Sequence, residues 1–345
     1  MPWTVIEEKP VECNYKSDLE HTVKCTYVDA IRLTLEQAMR LDARVFIMGQ
    51  GVNDQTGMFG MTNDLCRILG EERVFDTPIA ETGLTGVAVG SALSGMHPVY
   101  FHNRPDFLFL TLDQLINHAT KYHYMSGGQF KVPLVLWAVT GQGWGSAAQH
   151  SQTIHGMLMH IPGLKIAMPT TPYDVRGLLA EALADNNPVL FLDHRHVHNQ
   201  QGNVPKDLYR IPFGKGVIRR EGKDITIVGI SSMLLESLKA AKLLEQEKIA
   251  AEVIDLRTIK PYDRKIVADS VKKTGKLLVA DTGWECCGVA SEIAAKAYED
   301  CFSYLKVPVQ IIAPPDVPTP AAYHLEKEFY KDAGDIFEAA YRMCK

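Results

Sequence analysis

The chain has 345 residues, 46% hydrophobic and 22% charged, which suffices for two soluble domains of ordinary size, each with its own core. With 36 Lys and Arg against 41 Asp and Glu, the net charge of −5 lacks the basic excess of a nucleic-acid binder. No apolar run reaches the roughly 18 residues of a membrane span, and Glu7, Glu8, Glu12, Asp18 and Glu20 make the opening too acidic for a transit peptide. Seven scattered cysteines without a CxxC pair read as reduced thiols, Cys286 and Cys287 among them as buried ones, and the protein is expected in the cytoplasm.

Residues 1–26 have little periodicity and are expected to form an irregular arm. From Tyr27 a helical face follows with Ile31, Leu35, Ala38 and Met39, then a short apolar strand over 44–49 and a second helix ending at Gly70. Val74 and Phe75 end a further strand, Pro78 and Ile79 lead out of it, and Glu81 opens a nearly uncharged helix. Residues 97–102 read as a strand, 106–125 as one long helix with Phe107, Leu110, Leu115 and Ala119 inside, and 132–139 as a buried strand. A strand over 164–169, a helix beginning near Pro172 and a strand over 188–194 close this series.

Residues 201–213 read as a linker. A second series starts at 214, where Arg-Glu-Gly-Lys-Asp between two apolar runs suggests a hairpin. It continues with helices and strands in alternation to a helical tail. The expected fold is therefore α/β, with two domains over 27–200 and 214–345, each a mainly parallel sheet covered by helices on both faces.

Glu81 is the residue around which the first domain is organised. In the helix behind it Gly86, Gly90 and Ser94 recur every four residues, so one face is lined by small side chains that allow close approach of another backbone. Glu81 itself has two readings. It is a helix-end carboxylate worth at most about 1 kcal/mol, or a carboxyl group in a dry cleft tuned for proton chemistry.

Two glycine loops fail as nucleotide fingerprints. Gly49-Gln-Gly51 has Asp54 where a third glycine is required, and Gly141-Gln-Gly143 has Ser146 there. The second loop is better read as flexible backbone leading to His150, which follows a buried parallel strand, where open α/β sheets place ligands; a satisfied structural histidine is the alternative. His194, His196 and His198 alternate, and if extended they point to one side in steps of roughly 6.5 Å. That spacing is too wide for three bonds of about 2.1 Å to one ion, and a polar loop lining a cleft is the better reading.

The stretches FIMGQGV, GEERVFDTPIAETGLTGVAVGSAL, DQLINHATKYHYMSGGQFKVPLV, AQHSQ, PGLKIAMPTTPYDVRGLL, DNNPVLFL, AEVIDLRTIKPYD and APPDVPTP together resemble the β subunits of the thiamine-diphosphate-dependent 2-oxo acid dehydrogenases, relatives of transketolase. The resemblance runs from about residue 27 to the end. It implies a pyrimidine-binding domain and a transketolase-like C-terminal domain used in assembly. It also implies that Glu81 hydrogen-bonds a ring nitrogen of the cofactor's aminopyrimidine, with Ile79 and Phe107 against that ring. By the same resemblance His150 faces substrate and assists acyl transfer, and oxygens around Leu134, Ala182, Asp185 and Asn187 match a structural monovalent-cation site for K⁺.

No Gly-Asp-Gly motif, which holds the diphosphate through Mg²⁺ in relatives, occurs in the chain. The resemblance therefore implies an α subunit that supplies it, an α₂β₂ heterotetramer, and a lipoyl or other acyl-carrier protein as acceptor. The departures from the family pattern gather at the expected substrate entrance, at His102, Arg104, Leu110, His196 and the Trp-Ala-Val-Thr-Gly-Gln-Gly-Trp loop. A two-carbon ketol transferase acting on a sugar phosphate and a non-catalytic assembly subunit are the alternatives.

Overall fold

The computed structural model describes residues 22–54, 59–141 and 145–345. Most of the expected N-terminal arm and Gln142–Trp144 of the second glycine loop therefore lie outside the described residues. The chain divides into two compact units. The first comprises residues within 17–140 and 160–213; the second comprises 141–159 and 214–345. The segment carrying His150 thus groups with the C-terminal unit.

In the first unit β1 (Thr22–Thr26) precedes α1 (Tyr27–Leu41), whose start is fixed by a capping box between Thr26 and Asp29. Tyr27, Ile31, Leu35 and Met39 form its buried face. β2 (Val45–Gly49), α2 (Leu65–Leu69), β3 (Val74–Asp76), α3 (Glu81–Leu93) and β4 (His97–His102) follow. The expected long helix over 106–125 is instead three pieces: a 3₁₀ segment over Pro105–Thr111, a π turn over Gln114–Ala119 and α4 (Tyr122–Met125). Leu115 and Ala119 are buried as expected, whereas Leu110 is exposed. β5 (Val135–Thr140) comes next.

The chain then contributes α5 (His155–Met159) to the second unit and returns with β6 (Lys165–Ala167), α6 (Pro172–Ala184), β7 (Val189–His194) and β8 (Gln201–Pro205). The first unit's parallel strands run in the order β6-β7-β5-β4-β2-β3. β5 and β7 are buried along their whole length, as strands covered on both faces must be. β1 and β8 pair antiparallel, Thr22 with Pro205 through Thr26 with Gln201. Residues 22–26 and 201–205, read from sequence as arm and linker, are therefore strands.

Gly49 ends β2 with φ +155°, and a Cβ placed on it would lie 2.5 Å from the Phe101 carbonyl oxygen in β4. Gly49→Ala is expected to cost about 2–3 kcal/mol through backbone strain and a clash that backbone atoms cannot evade. A thermal melt of the variant showing no loss would contradict this.

The second unit holds β9 (Val217–Arg220), β10 (Ile225–Gly229), α7 (Met233–Gln246), β11 (Ala251–Asp255), β12 (Thr258–Lys260), α8 (Arg264–Thr274), β13 (Leu277–Ala280), α9 (Val289–Cys301), β14 (Gln310–Ile312), α10 (Tyr323–Phe329) and α11 (Ala333–Cys344). Its five-stranded sheet has the order β14-β13-β10-β11-β9. The expected 217–229 hairpin does not form: β9 pairs antiparallel with β11 instead. The turn at Gly222 packs on the Ala250–Glu252 backbone, where a Cβ would meet the Ala251 carbonyl carbon at 2.2 Å. Lys223 and Asp224 donate their N–H groups to the Ala250 carbonyl, which draws the chain across the start of β11. Cys286 and Cys287 are exposed free thiols, not buried ones.

Candidate active site

β3 is only three residues long, and Asp76 at its end accepts N–H bonds from Val52 and Asn53, tying down the loop that leaves β2. The chain exits through Pro78 and Ile79, whose side chain is 80% exposed, and enters α3 at Glu81. Ala80 at the N-cap offers no capping side chain, and Glu81 does not supply one either. The residue is 6% exposed, and its carboxyl group makes no hydrogen bond or ion pair among the described residues. Burial of a carboxylate without a partner is costly unless a ligand provides one.

Tyr100 in β4 lies close enough for the Glu81 charge to act on it. Burial first, and that charge second, push its phenol up to about 12. The His102 ring sits 4.2 Å from the Tyr100 ring, centroid to centroid. Burial holds His102 down to about 3, so it is neutral at any working pH, and its buried Nε2 has no hydrogen-bond partner. Arg104 stands at the start of the 3₁₀ segment, Phe107 is half-buried within it, and the Leu110 carbonyl accepts from Thr82 Oγ1 of α3 at 2.6 Å.

Beyond β7 the backbone turns into a 3₁₀ segment over Arg195–Val197, so the three alternating histidines do not share one side. The His196 N–H donates to His194 Nδ1, and His198 Nε2 bonds Asp193 Oδ1 at 2.7 Å. No group of three metal-ligating side chains assembles among the described residues.

The second unit carries His150. It is exposed, at a turn in which Ala147 has φ +58° and accepts the His150 N–H at 3.5 Å. Five residues on, His155 in α5 is fully buried, with Nε2 2.9 and 3.1 Å from the two carboxylate oxygens of Asp281. Lys260 Nζ donates to the Met159 carbonyl at 2.6 Å, closing the other end of α5.

The residues expected to hold a monovalent cation are linked by hydrogen bonds among themselves and to β7. The Leu134 carbonyl accepts from Val189, that of Ala182 from the Asp185 N–H, and Asp185 accepts from the Asn187 N–H. The Lys165 ammonium pairs with the Asp185 carboxylate. A positive charge from the chain itself therefore stands beside the oxygens expected to hold K⁺.

Residues 23–200 match the transketolase pyrimidine-binding domain, and residues 214–336 match the transketolase C-terminal domain. The chain is 39% identical to the pyruvate dehydrogenase E1 component subunit beta of Rickettsia felis, over 93% of this chain and 99% of that one. The chain belongs to the β-subunit family of the 2-oxo acid dehydrogenases. Another member, the acetoin:2,6-dichlorophenolindophenol oxidoreductase subunit beta of Cupriavidus necator, is 38% identical over 92% of this chain and 96% of its own. The 2-oxoisovalerate dehydrogenase subunit beta of Bacillus subtilis is 40% identical over 92% and 97%. A solved split-gene transketolase, an inactive β4 tetramer, aligns over 92% of this chain and 97% of its own with a TM-score of 0.73 and 24% identity, which supports the fold alone.

Membership in this thiamine-diphosphate-dependent family makes the chain an enzyme subunit, and Glu81, a buried residue whose carboxyl group has no partner among the described residues, is the acid that stands at the start of α3. Sequence reasoning missed Tyr100, Arg195, His155 and Asp281. Arg195 had a readable signal, a charged residue directly after an apolar parallel strand; His155 and Asp281 are 126 positions apart and had none.

Proposed function

We propose that the chain is the catalytic β subunit of a complex that decarboxylates a 2-oxo acid and passes the acyl group to a lipoyl or other thiol carrier. The observation that carries this reading is Glu81 at the first turn of α3, a buried residue whose carboxyl group has no partner among the described residues. When bound, thiamine diphosphate supplies a carbanion nucleophile and an electron sink. Glu81 holds a proton at the aminopyrimidine ring nitrogen, with the α3 N-terminus and low water access keeping the carboxyl group oriented. Ile79 and Phe107 flank that ring, and His150 handles protons during acyl transfer. In this proposal the two functional halves are the domains expected over 27–200 and 214–345.

The diphosphate and Mg²⁺ fall to an α subunit with the Gly-Asp-Gly motif, in an α₂β₂ assembly. Gly83, Gly86, Val87, Gly90 and Ser94 are exposed along α3, and open space lies where Cβ atoms of Gly83 and Gly90 would stand. Such a face suits close contact with the partner's backbone. Calorimetric titration tests the assignment. The chain alone is expected to bind thiamine diphosphate at least 100-fold more weakly than the α-containing complex, because several charge-assisted bonds, each worth roughly 1.5–3 kcal/mol, come from α. Sub-micromolar binding by the chain alone contradicts the shared site.

A further inference from the structure

The two adjacent cysteines of the second unit carry an inference that is independent of the decarboxylase reading. Between β13 and α9 the chain makes a tight turn in which the Gly288 N–H donates to the Glu285 carbonyl at 3.0 Å, with Cys286 and Cys287 as its two central residues. Both are free and exposed. Cys287 has φ +53°, a left-handed conformation uncommon for a residue with a side chain.

The backbone beneath these thiols is pinned from several sides. Ser291 Oγ donates to the Glu285 carbonyl at 2.6 Å, and Trp284 Nε1 donates to the Val317 carbonyl at 3.2 Å. A Cβ on Gly288 would lie 2.0 Å from the Trp284 carbonyl oxygen, and one on Gly156 of α5 would lie 3.5 Å from the Cys287 carbonyl oxygen. The turn is thus closed on itself and backed by α5 while both cysteines stay exposed. Two donors on such a backbone lose little freedom when they bind a common centre.

Consecutive Cα atoms stand about 3.8 Å apart, short of the roughly 4.4–6.8 Å that a disulfide usually spans. An atom bridging the two sulfurs through bonds of about 2.3 Å, the length of a zinc–thiolate bond, allows them to stand up to about 4.6 Å apart. No group of three His, Cys, Asp or Glu side chains that could hold a metal occurs among the described residues, so those residues do not build a four-ligand zinc site around the pair. The Cys287 thiol, and beyond it the Asp316 and Glu285 charges, push the Cys286 thiol up. Cys286 is therefore a weak nucleophile by itself, and the two carboxylates favour an electron-poor partner.

We propose that Cys286 and Cys287 form a dithiol site for a soft, thiophilic centre that takes two sulfur ligands, Cu(I) or a singly substituted trivalent arsenical. Thiolates select such soft centres. Cu(I) displaces the two thiol protons to solvent. With an arsenoxide the As=O bond and both S–H bonds break, two As–S bonds form, the oxygen leaves with both protons as water, and arsenic stays trivalent.

The test uses the full chain, reduced and freed of metal, with phenylarsine oxide in one arm and Cu(I) supplied as its bicinchoninate complex in the other. Intact mass spectrometry is expected to show one phenylarsenic adduct per chain that persists in excess glutathione, a monothiol, and is removed by the dithiol 2,3-dimercaptopropanol. In the second arm the chain should take one equivalent of Cu(I) and bleach the bicinchoninate colour. Cys286→Ser and Cys287→Ser should each weaken retention at least 100-fold, because the second sulfur bond is intramolecular, while their thermal melts stay unchanged. Success in either arm upholds the site and names its centre. An adduct stripped by glutathione, binding that survives in either variant, or no binding in both arms overturns it.

Discussion

Replacing Glu81 with glutamine is expected to lower turnover of the assembled complex by about 10²- to 10⁴-fold while leaving folding, assembly and cofactor binding in place. The amide keeps the shape and can still hydrogen-bond, so a side chain that is 6% exposed at the first turn of α3 is replaced without a cavity. What it loses is the exchangeable proton of the carboxyl group. The alternative role, a carboxylate favouring the α3 dipole, is worth at most about 1 kcal/mol and would leave activity nearly intact. Steady-state rates and a thermal melt of the variant, each with saturating thiamine diphosphate, separate the two. Retention of more than half the activity reduces Glu81 to a helix-end residue.

Much of this was legible in the sequence because the signals were local. β5 and β7 begin with apolar runs, 135–139 and 189–192, and the α1 face repeats at helical spacing. Glu81 stood out because it directly follows an apolar strand exit and precedes a run without charge. What failed was decided by long-range pairing. The Glu221–Asp224 turn has hairpin chemistry, yet β9 gains more from pairing with β11, and the backbone packing at Gly222 accommodates the crossing. β1 and β8 are short and partly polar, so nothing in either segment alone marks it as a strand. Over 105–125 the apolar spacing fits a helix, but spacing does not reveal which carbonyl each N–H reaches, and 3₁₀ and π turns differ only in that. His102 reads in sequence as a basic entrance residue, whereas burial makes it a neutral one.

The buried pair behind His150 should govern the second unit's stability. His155 and Asp281 are both fully buried, and Asp281 Oδ1 also accepts the Gly283 N–H at 3.1 Å. Gly283 has no substitute, since a Cβ there would stand 2.9 Å from His155 Cε1. α5 is held from the other side by Gly156, where a Cβ would lie 3.2 Å from the Gly288 Cα. Asp281→Ala strips the imidazole of its acceptor in a place water does not reach, and breaking a buried pair from one side costs about 3–5 kcal/mol. At roughly 2–4 °C per kcal/mol for a unit of this size, the melting temperature should fall by about 6–20 °C. The double variant His155→Phe with Asp281→Leu removes both members of the pair and should recover part of that loss, because the imidazole is no longer stranded and only the Gly283 N–H loses its acceptor. Hydrogen exchange should quicken first in α5, and with it the segment that positions His150. A shift below about 2 °C for Asp281→Ala would mean that α5 is held by backbone packing alone and that the pair contributes nothing to placing His150.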